Sequence, residues 1–192
     1  MSGMYDRIIL VGVPGAGKTT IANKALEGTD FKIVNFGDYI TDLLKRDGHI
    51  KDVDDIRSKL NQETWIEYQK KTAEHISKIP GNLLITTHAS FMTPIGFYPG
   101  LPDWTLQGIK PHVFVIIEAK PEEIAQWWSK DTTRRRGMVF ERDISLFQEM
   151  NRMYCVHYSG VTGARVKIIK NEDGRLNEAV QELRNVLLTP KR

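Results

Sequence analysis

Eight consecutive residues, Gly12-Val13-Pro14-Gly15-Ala16-Gly17-Lys18-Thr19, follow the pattern G-x-x-x-x-G-K-[ST] in full. These residue types suit polyphosphate. Glycines let the backbone wrap closely round phosphate oxygens, so that successive N–H groups form an anion nest. The Lys18 side chain has the reach to meet the β- and γ-phosphates of a nucleoside triphosphate, and the Thr19 hydroxyl is placed to ligate the accompanying Mg²⁺. Thr20 adds a hydroxyl near the α-phosphate. The pattern needs the right context, because it also occurs by chance. Here an apolar, β-branched run at 7–12 (RIILVG) ends where it begins, and a helical stretch at 18–27 starts where it ends. That helix N-terminus contributes unpaired N–H groups and a dipole that favours negative charge.

Further charged residues bear on phosphate chemistry. Asp131-Thr132-Thr133-Arg134-Arg135-Arg136 sits between two helical stretches. Arg134 and Arg136, at alternate positions, point together if the loop is extended, and arginines that close over a transferring phosphoryl group are the expected device. The planar fork of Arg grips two oxygens at once. Arg135 reads as a solvated charge. Arg152 has two readings, a phosphate contact or a surface ion pair with Glu149 or Glu141. Arg57, alone in a polar segment, reads as surface from its own context. His88 is the one histidine at a strand end facing the expected site; His49, His75, His112 and His157 show no metal-ligand spacing. The strand before His88 ends Ile85-Thr86-Thr87, without the carboxylate that many phosphate-loop enzymes place there for the metal. Asp38 could compensate, or Mg²⁺ could rely on Thr19, phosphates and water.

The elements that position these residues alternate. Apolar strands are expected at 7–12, 32–35, 81–87, 112–118 and 165–170. Helices are expected at 18–27, 38–46, 62–78, 121–130, 141–158 and 176–187. In the last two, Ile144, Phe147, Met150 or Asn151 and Tyr154, and Leu176, Ala179, Val180, Leu183 and Val186 or Leu187, recur at helical spacing on one face. Continuous apolar strands alternating with helices imply a parallel sheet covered on both faces. The expected fold is a three-layer α/β/α phosphate-loop NTPase with a five-stranded parallel sheet, one domain over 1–192. Stretches 48–59, 87–108 and 129–140 fall outside the alternation and read as binding loops or lids.

The bulk numbers exclude several classes. With 192 residues, 41% hydrophobic and 27% charged, the chain is an ordinary globular one. A net charge of +3 without a long basic run gives no footprint for nucleic acid and suits an anionic small substrate. The single cysteine, Cys155, allows no intrachain disulfide and no zinc site. No basic-then-apolar leader opens the sequence, and no apolar run approaches the roughly 20 residues of a membrane helix. A cytoplasmic protein is expected, with no membrane or nucleic-acid partner.

Taken together, the motifs resemble the archaeal type of adenylate kinase over nearly the whole chain. The resemblance rests on GVPGAGKTT at 12–20, Val34-Asn35-Phe36-Gly37-Asp38, the acidic segment leading to Arg57, and Thr87-His88-Ala89. It also rests on Thr93-Pro94-Ile95-Gly96-Phe97-Tyr98-Pro99-Gly100-Leu101-Pro102, on 131–136 and on Val161-Thr162-Gly163-Ala164. It implies the reaction ATP + AMP ⇌ 2 ADP with Mg²⁺. It implies an AMP-binding helical region at about 38–80, with Gly37, Asp38, Arg57, Thr87, His88 and Arg152 as AMP contacts. It implies a short lid at about 129–140 whose Arg134 and Arg136 hold phosphates. It places the donor adenine near Gly163 and Ala164, and implies a homo-oligomer, commonly a trimer. The sequence departs from the family at Thr86, where Asp is usual. Two other readings remain: a phosphate-loop kinase for a different nucleotide or metabolite, and an ATP-dependent switch or binding protein that has lost catalysis. A nucleic-acid-associated ATPase has only the triple arginine in its favour.

Overall fold

The structure is a computed structural model and describes residues 6–53, 55–56, 60–93, 95–130 and 141–190. Five strands, β1 (Arg7–Val11), β2 (Phe31–Asn35), β3 (Asn82–Thr86), β6 (Val113–Glu118) and β7 (Arg165–Lys170), form one sheet in the order β2-β3-β1-β6-β7, every pairing parallel. Parallel neighbours require crossover connections, and helices supply them: α1 (Lys18–Leu26), α2 (Phe36–Arg46), α3 (Gln62–Ser77), α4 (Asp103–Ile109), α5 (Pro121–Lys130), α6 (Glu141–Thr162) and α7 (Leu176–Leu188).

The strands explain why both faces are covered. Ile8 and Leu10 belong to one core cluster with α1 and α7, while Ile9 and Val11 belong to another with α2, α3 and α4. The same alternation runs through β6, with Val113, Val115 and Ile117 on one side and Phe114 and Ile116 on the other. All of β6 is buried. Each fully buried Leu, Ile or Phe contributes about 1.5–3 kcal/mol.

Local chemistry sets the element ends that matter for the site. The Asn35 side chain accepts from the N–H groups of Gly37 and Asp38, at 3.0 and 3.4 Å, and starts α2 directly at the end of β2. Asn61 accepts from the Thr64 N–H at 2.8 Å and starts α3. Arg184 of α7 donates to the carbonyls of Glu27 (2.6 Å) and Ala25 (3.3 Å), so a cation closes the C-terminus of α1.

The stretch 87–108, expected as irregular, contains order. Strands β4 (Ser90–Thr93) and β5 (Gly96–Pro99) pair as an antiparallel hairpin, and α4 follows. The hairpin is fastened to α6. Ser90 Oγ donates to Asn151 at 2.8 Å, Tyr154 donates to the Phe97 carbonyl at 3.1 Å, and Tyr158, wholly buried, donates to the Ala89 carbonyl at 2.7 Å. Among the described residues, no helix is long and apolar enough to cross a membrane.

Candidate active site

The phosphate loop springs from the carboxyl end of β1. Gly12 lies so close to β6 that a Cβ there would be 2.4 Å from the Ile117 carbonyl oxygen. Gly17 occupies the N-cap of α1 in the left-handed region, with φ 87°, and no side chain caps the helix. The first turn of α1 carries Lys18, Thr19 and Thr20 and no acid. Its N–H groups and dipole are therefore available to an anion. Lys18 Nζ donates to the carbonyls of Gly12 (2.8 Å) and Val13 (3.0 Å), which holds the ammonium over the loop.

Two donors brace the loop from outside. Trp128 Nε1 donates to the Pro14 carbonyl at 2.6 Å. The buried side-chain amide of Asn171 donates to the Ala16 carbonyl at 2.9 Å. Neither residue stood out in the sequence. Asn171 could have been found from its place directly after the last strand, on the same edge of the sheet as the phosphate loop.

A cleft of about 1010 Å³ extends from this loop along the carboxyl ends of the strands, where ligands of open α/β sheets bind. Pro14, Gly15, Gly17, Lys18, Thr19 and Thr20 form one wall. Asn35, Gly37, Asp38 and Thr41 of β2 and α2 line another part. Thr86, Thr87 and His88 come from the end of β3, which lies beside β1 with Thr86 in register with Leu10. The Thr87 N–H donates to the Leu10 carbonyl at 3.1 Å, and the His88 ring tilts against Phe91 with centroids 5.4 Å apart. Val53, Ile56, Trp65, Gln69 and Tyr98 complete the lining. Of these, Gln69 had a readable signal: it stands in the apolar row of α3, where Trp65, Ala73 and Ile76 lead one to expect another apolar residue.

Two expected site residues lie elsewhere. Gly163 and Ala164 precede β7, whose first residue, Arg165, pairs with Val113 at the amino edge of the sheet. The phosphate loop leaves the carboxyl edge, so a strand of five steps, about 16 Å, separates the two. Gly163 and Ala164 therefore do not lie beside the phosphate loop. The loop after β7, at 171–175, is on the phosphate loop's edge of the sheet. Arg152 is not part of the cleft. Its guanidinium grips Glu118 with two bonds of 2.6 Å, and Lys170 donates to the same carboxylate at 2.6 Å. The partner of Arg152 is thus Glu118, at the end of β6, with its side chain only 1% exposed. Burial alone would raise the Glu118 pKa, but the hydrogen bonds from Arg152 and Lys170 outweigh it and hold the carboxyl below its ordinary value. Arg57, Arg134 and Arg136 lie outside the described residues.

Among the described residues, no three His, Cys, Asp or Glu side chains cluster to hold a metal. The donor set fits Mg²⁺ only as it travels with a nucleotide: the exposed Thr19 hydroxyl beside the loop, with Asp38 and Thr86 across the cleft. Mg²⁺ commonly keeps several waters and takes few protein ligands.

Comparison with known proteins agrees with this geometry. A family model described as an AAA domain matches residues 11–145. Among solved structures, shikimate kinase from Acinetobacter baumannii, in complex with shikimate, superposes with a TM-score of 0.62 at 18% identity, covering 97% of this chain and 94% of that one. Shikimate kinase from Bacteroides thetaiotaomicron gives 0.60 at 16% identity, over 95% and 98%. At such identities the likeness shows the fold, that of a phosphate-loop kinase. Sequence relatives are nearer. An adenylate kinase of Methanocaldococcus jannaschii is 41% identical over 187 residues, 94% of this chain and 97% of that protein. One of Thermoplasma volcanium is 40% identical over 181 residues, 94% and 99%. With a phosphate loop at the head of a cleft, and this identity over nearly its whole length, the chain belongs to the archaeal adenylate kinase family of nucleoside monophosphate kinases.

Proposed function

We propose that the chain transfers the γ-phosphoryl group of Mg·ATP to AMP and releases two ADP. The observation that carries this reading is one continuous cleft, with Lys18 and Thr19 in one wall and residues of α2 and α3 in another. The donor phosphates lie in the loop, where Lys18 and the N–H groups of α1 neutralise them. Thr19 would hold Mg²⁺ together with the nucleotide's own phosphates, and the ion would add positive charge to the donor end of the cleft. AMP lies against Gly37, Asp38, Thr87 and His88, with Arg57 on its phosphate, and the region 38–80 is its binding region.

Segment 129–140 acts as the lid. Arg134 and Arg136 bring positive charge to the transferred group as the lid closes, and closure keeps water from taking the phosphoryl group. No general base is required, because an oxygen of the AMP phosphate is already an anionic nucleophile. The protein works in the cytoplasm as a homo-oligomer, a trimer on the family's pattern.

Label transfer tests the reading. With ATP labelled in the γ-phosphate and unlabelled AMP, label is expected in the β-phosphate of newly formed ADP. Label appearing mainly as inorganic phosphate, with AMP unchanged, would show hydrolysis and overturn it.

A further inference from the structure

Gln69 is 1% exposed, yet it lines the cleft. The same cleft lining carries the apolar side chains of Ile40, Val53, Ile56 and Trp65, and Trp65 stands one helical turn before Gln69 on α3. A buried polar group set among apolar side chains is how small-molecule sites fix the orientation of a ring.

The orientation of that polar group follows from Trp104. The indole Nε1 donates to Gln69 Oε1 at 3.3 Å. An indole N–H is a donor only, so the atom facing it must be the amide oxygen. The two-fold uncertainty of a glutamine amide is thereby removed. Trp104, on α4, is not part of the cleft lining, and among the described residues it is the one hydrogen-bond partner of the Gln69 side chain. The amide nitrogen, with two N–H donors, is left for whatever enters the cleft.

We infer that Gln69 reads the acceptor base, its Nε2 donating to a ring nitrogen of AMP, and that Trp104 is the positioning residue that keeps the donor turned that way. The inference rests on the proposed assignment of AMP to this half of the cleft. Adenine presents an unprotonated N1 on its Watson–Crick edge. Guanine presents N1–H there, so two donors would meet at the buried Gln69 amide. A site built around one hydrogen bond rejects the base that cannot complete it, because the buried group is then left unpaired.

The test compares kcat/KM for AMP and GMP at saturating Mg·ATP, and KM for ATP, in the wild type and in Gln69→Leu, Gln69→Glu and Trp104→Phe, with a thermal melt of each. Gln69→Leu should lower kcat/KM for AMP roughly tenfold or more, mainly through KM. It should affect GMP less, so the AMP/GMP ratio falls, while KM for ATP stays within about twofold. Trp104→Phe keeps the glutamine but frees its amide to turn over, and should lower the ratio part of the way. Gln69→Glu replaces a donor with an acceptor and should move preference further toward GMP. A residue that only packs the core would reduce both acceptors alike. If the buried carboxylate of Gln69→Glu prevents folding, the other two variants decide. An unchanged AMP/GMP ratio in both, with a wild type active on AMP, would overturn the role of Gln69 and leave the reaction standing. A wild type inactive on AMP would overturn both.

Discussion

Asn171 and Ala16 are joined by a hydrogen bond of 2.9 Å, from a side-chain amide to a backbone carbonyl, which fastens the loop leaving the last strand to the middle of the phosphate loop. The contact is tight enough that a Cβ on Gly17 would lie 2.3 Å from the same amide nitrogen. In Asn171→Ala the carbonyl loses its partner and the loop keeps only the brace from Trp128. Initial rates should show KM for ATP raised about tenfold, with KM for AMP little changed, since the bond is worth about 1–3 kcal/mol when a buried partner is left unpaired. A rise in both constants alike would assign Asn171 to general stability.

Lys18 supplies the side-chain positive charge on the loop itself. Lys18→Ala should reduce phosphoryl transfer by roughly a thousandfold, the scale for removing a preorganised charge from a transition state. The melt should barely move, because the side chain is only partly buried. Near-normal turnover would remove the loop from the reaction.

Thr86 stands at the end of β3 and lines the cleft without a carboxylate. Thr86→Asp places a carboxylate where it can hold water of the metal. The Mg²⁺ concentration for half-maximal rate should fall several-fold. A requirement that does not move would show that Thr19, phosphates and water already satisfy the ion.

Glu118 contributes stability that depends on pH. Its folded pKa lies below the ordinary 4.5, since the hydrogen bonds of Arg152 and Lys170 overcome the effect of burial. A depressed carboxylate stabilises the fold fully above its unfolded pKa, and that stability is lost as pH falls through the folded value. Glu118→Gln should cost about 1–2 kcal/mol at pH 7, because both cations are nearly half exposed and regain water. Melts across pH should show the gap between wild type and variant constant near neutrality and narrowing as pH falls below 4.5. A constant gap down to strongly acidic pH would mean that the carboxylate charge is not what stabilises.

Much of this was legible in the sequence because the signals were local. The phosphate loop is contiguous, and the five strands are apolar runs bounded by polar residues or glycine, so their limits agree with the structure to within a residue or so. The apolar rows of α6 and α7 also held: Ile144, Phe147, Asn151, Ala179, Leu183 and Leu187 are buried. The β4–β5 hairpin was hidden because its strands have four residues each, close to Pro94 and Pro99, and because α6 and not a neighbouring strand holds it in place. Gly163 and Ala164 lie at the edge opposite to the phosphate loop, which a short motif does not reveal because it carries no direction. In a parallel sheet, a segment that precedes a strand lies at the edge opposite to a loop that follows one. Arg152 was ambiguous for a related reason. Its partner, Glu118, is 34 positions away and comes within 2.6 Å only when α6 packs beside the end of β6.

The most direct measurement is ADP formation from Mg·ATP with AMP, run beside GMP, CMP, UMP and no acceptor. We expect rapid ADP formation with AMP, much slower formation with the other three, and little ATP hydrolysis when no acceptor is present. ATP binding without transfer to any of the four would contradict adenylate kinase activity in this chain.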